Sequence, residues 1–461
     1  MRLVEASFVG AEVILVTWLL STEDLGPIGV LFIAAVAAVA LFSALARSWR
    51  LGATSVLIIS SAMAQFKGTL FSLHVRPEHV AIALLVLVVF FQMARGQIKA
   101  ITTLKADYLL IGYILLNFIT SAVTSPEPRM TLRWAMMNAI VIAPYFLLRL
   151  LIKSEDFFHK AFDIMLWIGA AESAYGIFCF LSNRIFETQF GMAINQYGII
   201  PGTYGTQYEP NLFGSYSACC AIMFFTLFLL GERSRWHGCG FLITSVGAAI
   251  SLSRAVILAF PAVVLVVVWV AFKRRRFRLR RFVPLASAIA LLLLIFSPFL
   301  LGLLRERFST IDVNDISSDD TTAGRIVQIV VAVQNVQAHP LLGTGTASFQ
   351  LLFNWKDYQG EDLGGWVGNT PLRILHDTGV IGLTVFLLFV GSLLLAARRI
   401  IRDSSPRTEI ALIALQSGLL LYAITFQSSE ASLLAFTWVH FGLLSAAVAT
   451  AKPCHSVIAN A

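Results

Sequence analysis

Ala255-Val-Ile-Leu-Ala-Phe-Pro-Ala-Val-Val-Leu-Val-Val-Val-Trp-Val-Ala-Phe272 contains no charged residue, and Lys273-Arg-Arg-Arg-Phe-Arg-Leu-Arg-Arg281 follows it directly. At about 1.5 Å per residue, such a run reaches across most of the ~30 Å hydrocarbon core of a bilayer. The basic cluster behind it marks the end that stays near anionic lipid on the cytoplasmic side. Further apolar runs lie near 4–20, 26–46, 51–73, 79–96, 106–124, 131–152, 160–182, 211–231, 237–252, 282–304, 378–397, 409–426 and 431–450. They are too long and too evenly apolar for alternating barrel strands, and helices satisfy their own amides in lipid. The expectation is an all-α polytopic integral membrane protein with about fourteen transmembrane helices, twelve at the fewest. The chain is 57% hydrophobic and 13% charged, against roughly 25% charged in globular proteins.

Most of the 34 basic residues fall in alternate loops, at Arg47 and Arg50, Arg95 to Lys105, Arg149 to Lys160, Arg233 and Arg235, Lys273 to Arg281, and Arg398 to Arg407. The intervening loops carry Glu23, Asp24, Glu78, Glu127, Glu187, Glu209 and most of the acids between Glu306 and Glu361. The positive-inside rule then places both termini in the cytoplasm. It also turns the long loop between the eleventh and twelfth spans outward. The net charge of +8 is therefore a topological signal rather than a nucleic-acid surface. Of the five cysteines none lies in the long loop, and no CxxC or Cys/His cluster suggests a disulfide framework or zinc site. The N-terminal run has no small-residue cleavage site before Leu20 and is read as a retained span. The chain divides into helices 1–11 (1–304), the outward loop (305–377) and the C-terminal spans with a cytoplasmic tail (378–461).

Within the loop, Ile326, Ile329, Val330, Val333 and Val336 recur in steps of three and four, which predicts an amphipathic helix over Ala323–Ala338 ended by Pro340. It is expected to lie along the membrane surface or over the bundle, with Arg325 in its first turn pointing to the headgroups. Arginine suits phosphate because its planar fork donates two parallel charge-assisted bonds. Arg254, in the short outward turn Ser251-Leu-Ser-Arg-Ala255, and Arg325 are thus either headgroup anchors or a phosphate pair. Arg305, Asn369 and Arg373 lie in the same stretch as supporting residues. His339, His376, Asp377 and Glu209 are the candidate bases for deprotonating a hydroxyl, with His376-Asp377 alternatively capping the next span. Gly343-Thr-Gly345 reads as a turn, and Asp312, Asp315, Asp319 and Asp320 as a solvated face and helix caps rather than metal ligands. Glu12, Asp107 and His440 are near enough to helix ends to hydrate, whereas Lys67 and Glu172 are the charges that an ion or lipid-linked glycan transporter would use.

Five stretches together resemble the bacterial O-antigen ligase and O-antigen polymerase superfamily. They are Gly202-Thr-Tyr-Gly-Thr-Gln-Tyr-Glu-Pro-Asn-Leu-Phe-Gly214, Leu252-Ser-Arg-Ala255, Gly324-Arg-Ile326, His339-Pro-Leu-Leu-Gly-Thr-Gly345 and Asn369-Thr-Pro-Leu-Arg-Ile-Leu-His-Asp-Thr-Gly-Val-Ile-Gly382. The resemblance implies a GT-C type glycosyltransferase of the bacterial inner membrane, with its large loop in the periplasm. It implies an undecaprenyl-diphosphate-linked glycan donor, a glycan or lipid A-core acceptor, and no metal, nucleotide or other cofactor. It also assigns diphosphate binding to Arg254 and Arg325, and the loop then reads as a lid whose Arg325 completes a site begun by Arg254. Ligases of the family carry His-Asn where this chain has Gly368-Asn369. Glycine cannot take a proton, so either His339, His376 or Asp377 replaces that histidine or the chain is a polymerase-like relative. The latter tilts the expectation toward an exopolysaccharide or O-antigen polymerase.

Overall fold

The computed structural model describes residues 49–63, 68–70, 73–96, 98, 103–193, 202–207, 209–231, 235–274, 320–352 and 367–451. The runs 4–20, 26–46 and 282–304, and with them Glu12, Lys67, Arg305, Asp312, Asp315 and Asp319, lie outside the described residues.

The described chain is a helical bundle. In order it forms α1 (Trp49–Ser61), the hairpin β1 (Gly68–Leu70) and β2 (Leu73–Val75), α2 (Pro77–Ala94), α3 (Lys105–Val123), α4 (Pro128–Ile142), α5 (Pro144–Leu151) and α6 (Glu155–Phe186). There follow the short pair β3 (Met192–Ala193) and β4 (Gly202–Thr203), α7 (Pro210–Leu230), α8 (Arg235–Ile250), α9 (Arg254–Lys273), α10 (Asp320–Ala338), α11 (Phe349–Leu352), α12 (Thr370–Ile401), α13 (Pro406–Thr425) and α14 (Ala435–Thr450). Among the described residues seven helical segments are long and apolar enough to cross a membrane, with α4 and α5 counted as one. The expected run 51–73 is not a single span. Its helix stops at Ser61 and an antiparallel hairpin pairs Gly68 with Val75.

Sequence sets the helix ends. Ser154 caps α6 by accepting from the Phe157 N–H at 3.2 Å, and Ser405 caps α13 by accepting from Thr408 N–H at 3.3 Å. Proline opens α2, α4, α5, α7, α12 and α13, where its missing N–H costs nothing. The centre of the bundle is α7, 89% of whose spanning window is buried, while α9 and α12 lie at the periphery with 28% and 22%. α7 packs against α8, α13 and α9. The crossing with α6 is close because a side chain at Gly176 would run into the Phe213 ring. Exposed Leu87, Phe90, Phe186, Phe272 and Leu387 form the apolar exterior expected of a protein in lipid.

Loops of the basic set meet at one end. There Arg149 pairs with Asp107, Arg274 with Glu409, and Arg407 with Asp163 at 3.6 Å. Asp107 and His440 do not hydrate as expected from their positions. Asp107 is 5% exposed and also accepts from the Tyr145 hydroxyl at 2.8 Å, and His440 is 1% exposed with Nε2 at 2.8 Å from the Leu415 carbonyl. Each found a protein partner, which removes the need for water.

Candidate functional site

At the other end, α12 begins among partners from the last turn. Asn369 caps it by accepting from the Leu372 N–H at 2.8 Å, and its amide donates to the Gln427 carbonyl at 2.8 Å. Thr370 donates its hydroxyl to Ser429 O at 3.0 Å and its N–H to Phe426 O at 2.9 Å. One turn along, this fastening brings Arg373 against Glu430, with Nη1 at 2.5 Å from Oε2. The same guanidinium reaches Asp377 through Nε at 3.3 Å. Asp377 in turn accepts from the Ala347 N–H at 2.9 Å and lies 3.0 Å from His376 Nδ1. His376, fully buried, has the Thr344 hydroxyl at 3.2 Å and the Asn335 side chain at 3.3 Å. Arg373, His376 and Asp377 thus lie inside α12, and neither His376 nor Asp377 caps it.

α12 breaks at Gly379, whose φ of 65° is open to glycine at little cost. The broken helical groups find partners in the turn after α10. The His376 and Asp377 carbonyls accept from Thr344 and Gly345 N–H at 2.9 and 3.0 Å, while Val380 N–H donates to Pro340 O at 2.9 Å. Gly343 fits because any side chain there would strike the His376 carbonyl and the backbone of Thr378 and Gly379. The glycines of Gly343-Thr-Gly345 therefore serve a backbone interlock.

α10 lies over this junction, and its polar side is the one that bonds inward. Ile326, Ile329, Val330 and Val333 are 41–49% exposed, whereas Ala332 is buried and Gln328 and Asn335 bond inward, Gln328 accepting from the Gly368 N–H at 3.1 Å. Arg325, one turn before Gln328, shares that inward-bonding face. It lies near enough to Glu209 to act on its charge.

Glu209 precedes α7 and is half-buried. Burial pushes its carboxyl up from the ordinary range, Arg325 opposes that, and Glu430 adds to it. The segment before it is pinned by Glu172, which accepts from Thr206 N–H at 2.8 Å and from its hydroxyl at 2.6 Å, while Gln207 donates to the Ala62 carbonyl at 2.9 Å. Both Glu172 oxygens are thereby used in holding this loop. Arg254 opens α9 behind the turn at Ser251, which packs so closely on Gly202 and Gly214 that no side chain fits at either glycine. The Arg254 turn and the Glu209 loop are therefore neighbours.

The order Arg254, Arg325, Gly368-Asn369, Gly379 runs through one continuous stretch of the chain, and residues 239–387 match the family model described as O-antigen ligase. Over this stretch the chain is similar to that family. The stretch spans roughly a third of the 461 residues. No curated protein matches the chain. Members of the O-antigen ligase family are enzymes that join glycans, and the match supports a ligase- or polymerase-type role in glycan assembly in a membrane setting.

The O-antigen ligase region contains Arg254, Arg325, His339, Asn369, Arg373, His376 and Asp377, and the remaining part of the cluster lies outside it. His339 is exposed at the end of α10 and apart from the buried network. Arg305 is outside the described residues. At Gly368 a side chain would meet only the end of Gln328, so packing does not demand glycine there. Glu430 was missed by the sequence reading. The one available signal was an acid within the serine-rich turn Ser428-Ser-Glu-Ala-Ser432.

Proposed function

We propose that the chain is a polymerase-type membrane glycosyltransferase that moves an oligosaccharide from undecaprenyl diphosphate to the hydroxyl of an acceptor glycan on the periplasmic side of the inner membrane. The observation that carries the proposal is that Arg325, on the inward-bonding face of α10 with Gln328 and Asn335, lies near enough to Glu209 to act on its charge, at the end that also holds Arg254. In this reading Glu209 takes the proton as the acceptor oxygen attacks the anomeric carbon. The sugar–phosphate bond breaks on the opposite face, inverting the centre, and undecaprenyl diphosphate leaves with the electron pair. Arg254 and Arg325 stabilise the charge that grows on that leaving group. Among the candidate bases, His376 and Asp377 are buried and engaged with each other and with Arg373, and His339 is exposed outside the cluster, which leaves Glu209 as the base.

The absence of a side chain at Gly368 favours a polymerase over a ligase acting on lipid A core. A transporter would keep a charge poised in the bundle, yet Glu172 has both oxygens committed to Thr206. The test is to replace Arg254, Arg325 and Glu209 one at a time, by Ala, Ala and Gln, and to resolve the surface glycans on a gel. Each arginine variant should lose transfer by ~10²–10³-fold, the scale of one pre-placed donor to a developing anion. Single repeats without long chains would mark a polymerase. Loss of every attachment, with glycan accumulating on the carrier, would mark a ligase. Wild-type glycans from all three variants would refute the proposal.

A further inference from the structure

Glu430 lies outside the matched residues 239–387, on the turn between α13 and α14, yet it closes a chain of polar contacts that begins at the loop helix. The chain runs from Asn335 to His376, from His376 to Asp377, from Asp377 to Arg373 and from Arg373 to Glu430. Its links come from α10, α12 and the last turn, three elements far apart in the sequence. Glu430 is itself held by its own turn, because Oε1 accepts from the Ser432 N–H at 2.7 Å and also bonds the Ser432 hydroxyl. With one oxygen fixed to the turn and the other on Arg373, its carboxylate has a single orientation.

Two carboxylates, Asp377 and Glu430, flank the one guanidinium of Arg373. The cluster therefore presents net negative charge at the end of the bundle where Glu209 opens α7. Like charge raises a neighbouring carboxylate's hold on a proton, and partial burial keeps water from screening it. The groups that act on Glu209 are Arg325 from α10, Glu430 from the last turn and Asn211 from its own helix. Those that face Arg373 are Glu430, Asp377 and the Tyr113 hydroxyl of α3. Arg325 and Glu430 thus act on Glu209 with opposite sign. A diphosphate that draws Arg325 onto itself would leave Glu430 unopposed and make Glu209 a stronger base when the donor is in place.

We infer that Glu430 is a positioning residue of this site, which locks Arg373 and the start of α12 and sets the negative charge that Glu209 meets. The inference rests on the reading of Glu209 as the base.

The experiment measures the pH dependence of kcat with the full-length protein in lipid vesicles, using carrier-linked oligosaccharide from a producing strain as donor. Transfer needs the ionised base, so activity rises with pH through the Glu209 pKa. Glu430→Gln removes a negative neighbour, lowers that pKa and moves the acid limb to lower pH by about 0.5–1 unit, the sign and size of losing a nearby like charge. Glu430→Asp keeps the charge and shortens the reach to Arg373. It should leave the limb in place and lower kcat. Because it retains the negative charge beside Arg373, Glu430→Asp also tests the inference should Glu430→Gln fail to fold, and full wild-type kcat in Glu430→Asp overturns the positioning role. An acid limb unmoved in a folded Glu430→Gln overturns the charge role. Glu209→Gln separates the two readings, since it should be inactive at every pH. If Glu209→Gln transfers normally, the base assignment fails, whereas an inactive Glu209→Gln beside an unmoved Glu430→Gln limb overturns the Glu430 inference alone.

Discussion

Asp377 holds three partners with two oxygens, and its neighbours are arranged around that fact. Arg373, the Ala347 N–H and His376 all converge on one buried carboxylate. Replacing Asp377 by Ala leaves a buried donor and half of a guanidinium without an acceptor. The expected loss is about 3–5 kcal/mol, the cost of breaking a buried pair from one side, read as a fall in Tm of the detergent-solubilised protein. Arg325→Ala should act differently. It removes the positive charge that holds the Glu209 carboxyl down, so the acid limb of the rate profile moves to higher pH, opposite to Glu430→Gln. These residues were only half legible in the sequence. Arg325, Glu209, His376 and Asp377 were visible as polar outliers, but Glu430 and Arg373 are 57 positions apart in the numbering and nothing local announces their pairing.

α10 shows what a periodic pattern fixes and what it leaves open. Steps of three and four residues predicted the helix and its stop at Pro340, and the structure has both. The stripe says which residues share a face, not whether that face meets lipid or protein. In water the apolar side turns in, while beside a bilayer it turns out, and here it is Gln328 and Asn335 that bond inward. Spin labels on cysteines at Val330 and Val333 should therefore relax with membrane-dissolved oxygen, while a label at Gln328 should be shielded from both oxygen and aqueous nickel. Equal aqueous access at Val330 and Gln328 would contradict this orientation. The span ends were legible for a related reason, since Ser, Asn and Pro at helix starts act through neighbours three residues away. The failure of run 51–73 to continue as one helix had a local signal in Lys67, a charge inside the run that made it one of the two weakest spans, but that charge alone does not say where the helix stops.

For the whole molecule, the apolar runs made the membrane class legible at once, because lipid offers a span's backbone no partner and so favours long apolar helices that bond internally. Sidedness rests on the basic loops. Cys239 is exposed near the Arg235 end of α8, while Cys179, Cys219 and Cys220 are buried. With Cys454 changed to Ala, a membrane-impermeant maleimide should label Cys239 in inside-out vesicles and leave intact spheroplasts unlabelled. The reverse pattern would place the candidate site in the cytoplasm and end the reading of a periplasmic transferase.

The interlock at Gly379 has a consequence for how such proteins can be recombined. The turn 340–345 supplies the partners that α12 lacks where it breaks, so loop and span are halves of one joint. Exchanging the loop alone with that of a relative would strand several backbone groups at about 1–3 kcal/mol each, enough to cost a marginally stable protein its fold. Exchanging 320–401 as a block would carry both halves. The natural unit for chimeras, and for any shuffling between relatives of different glycan preference, is thus cut at the basic end of α12 and never within the joint.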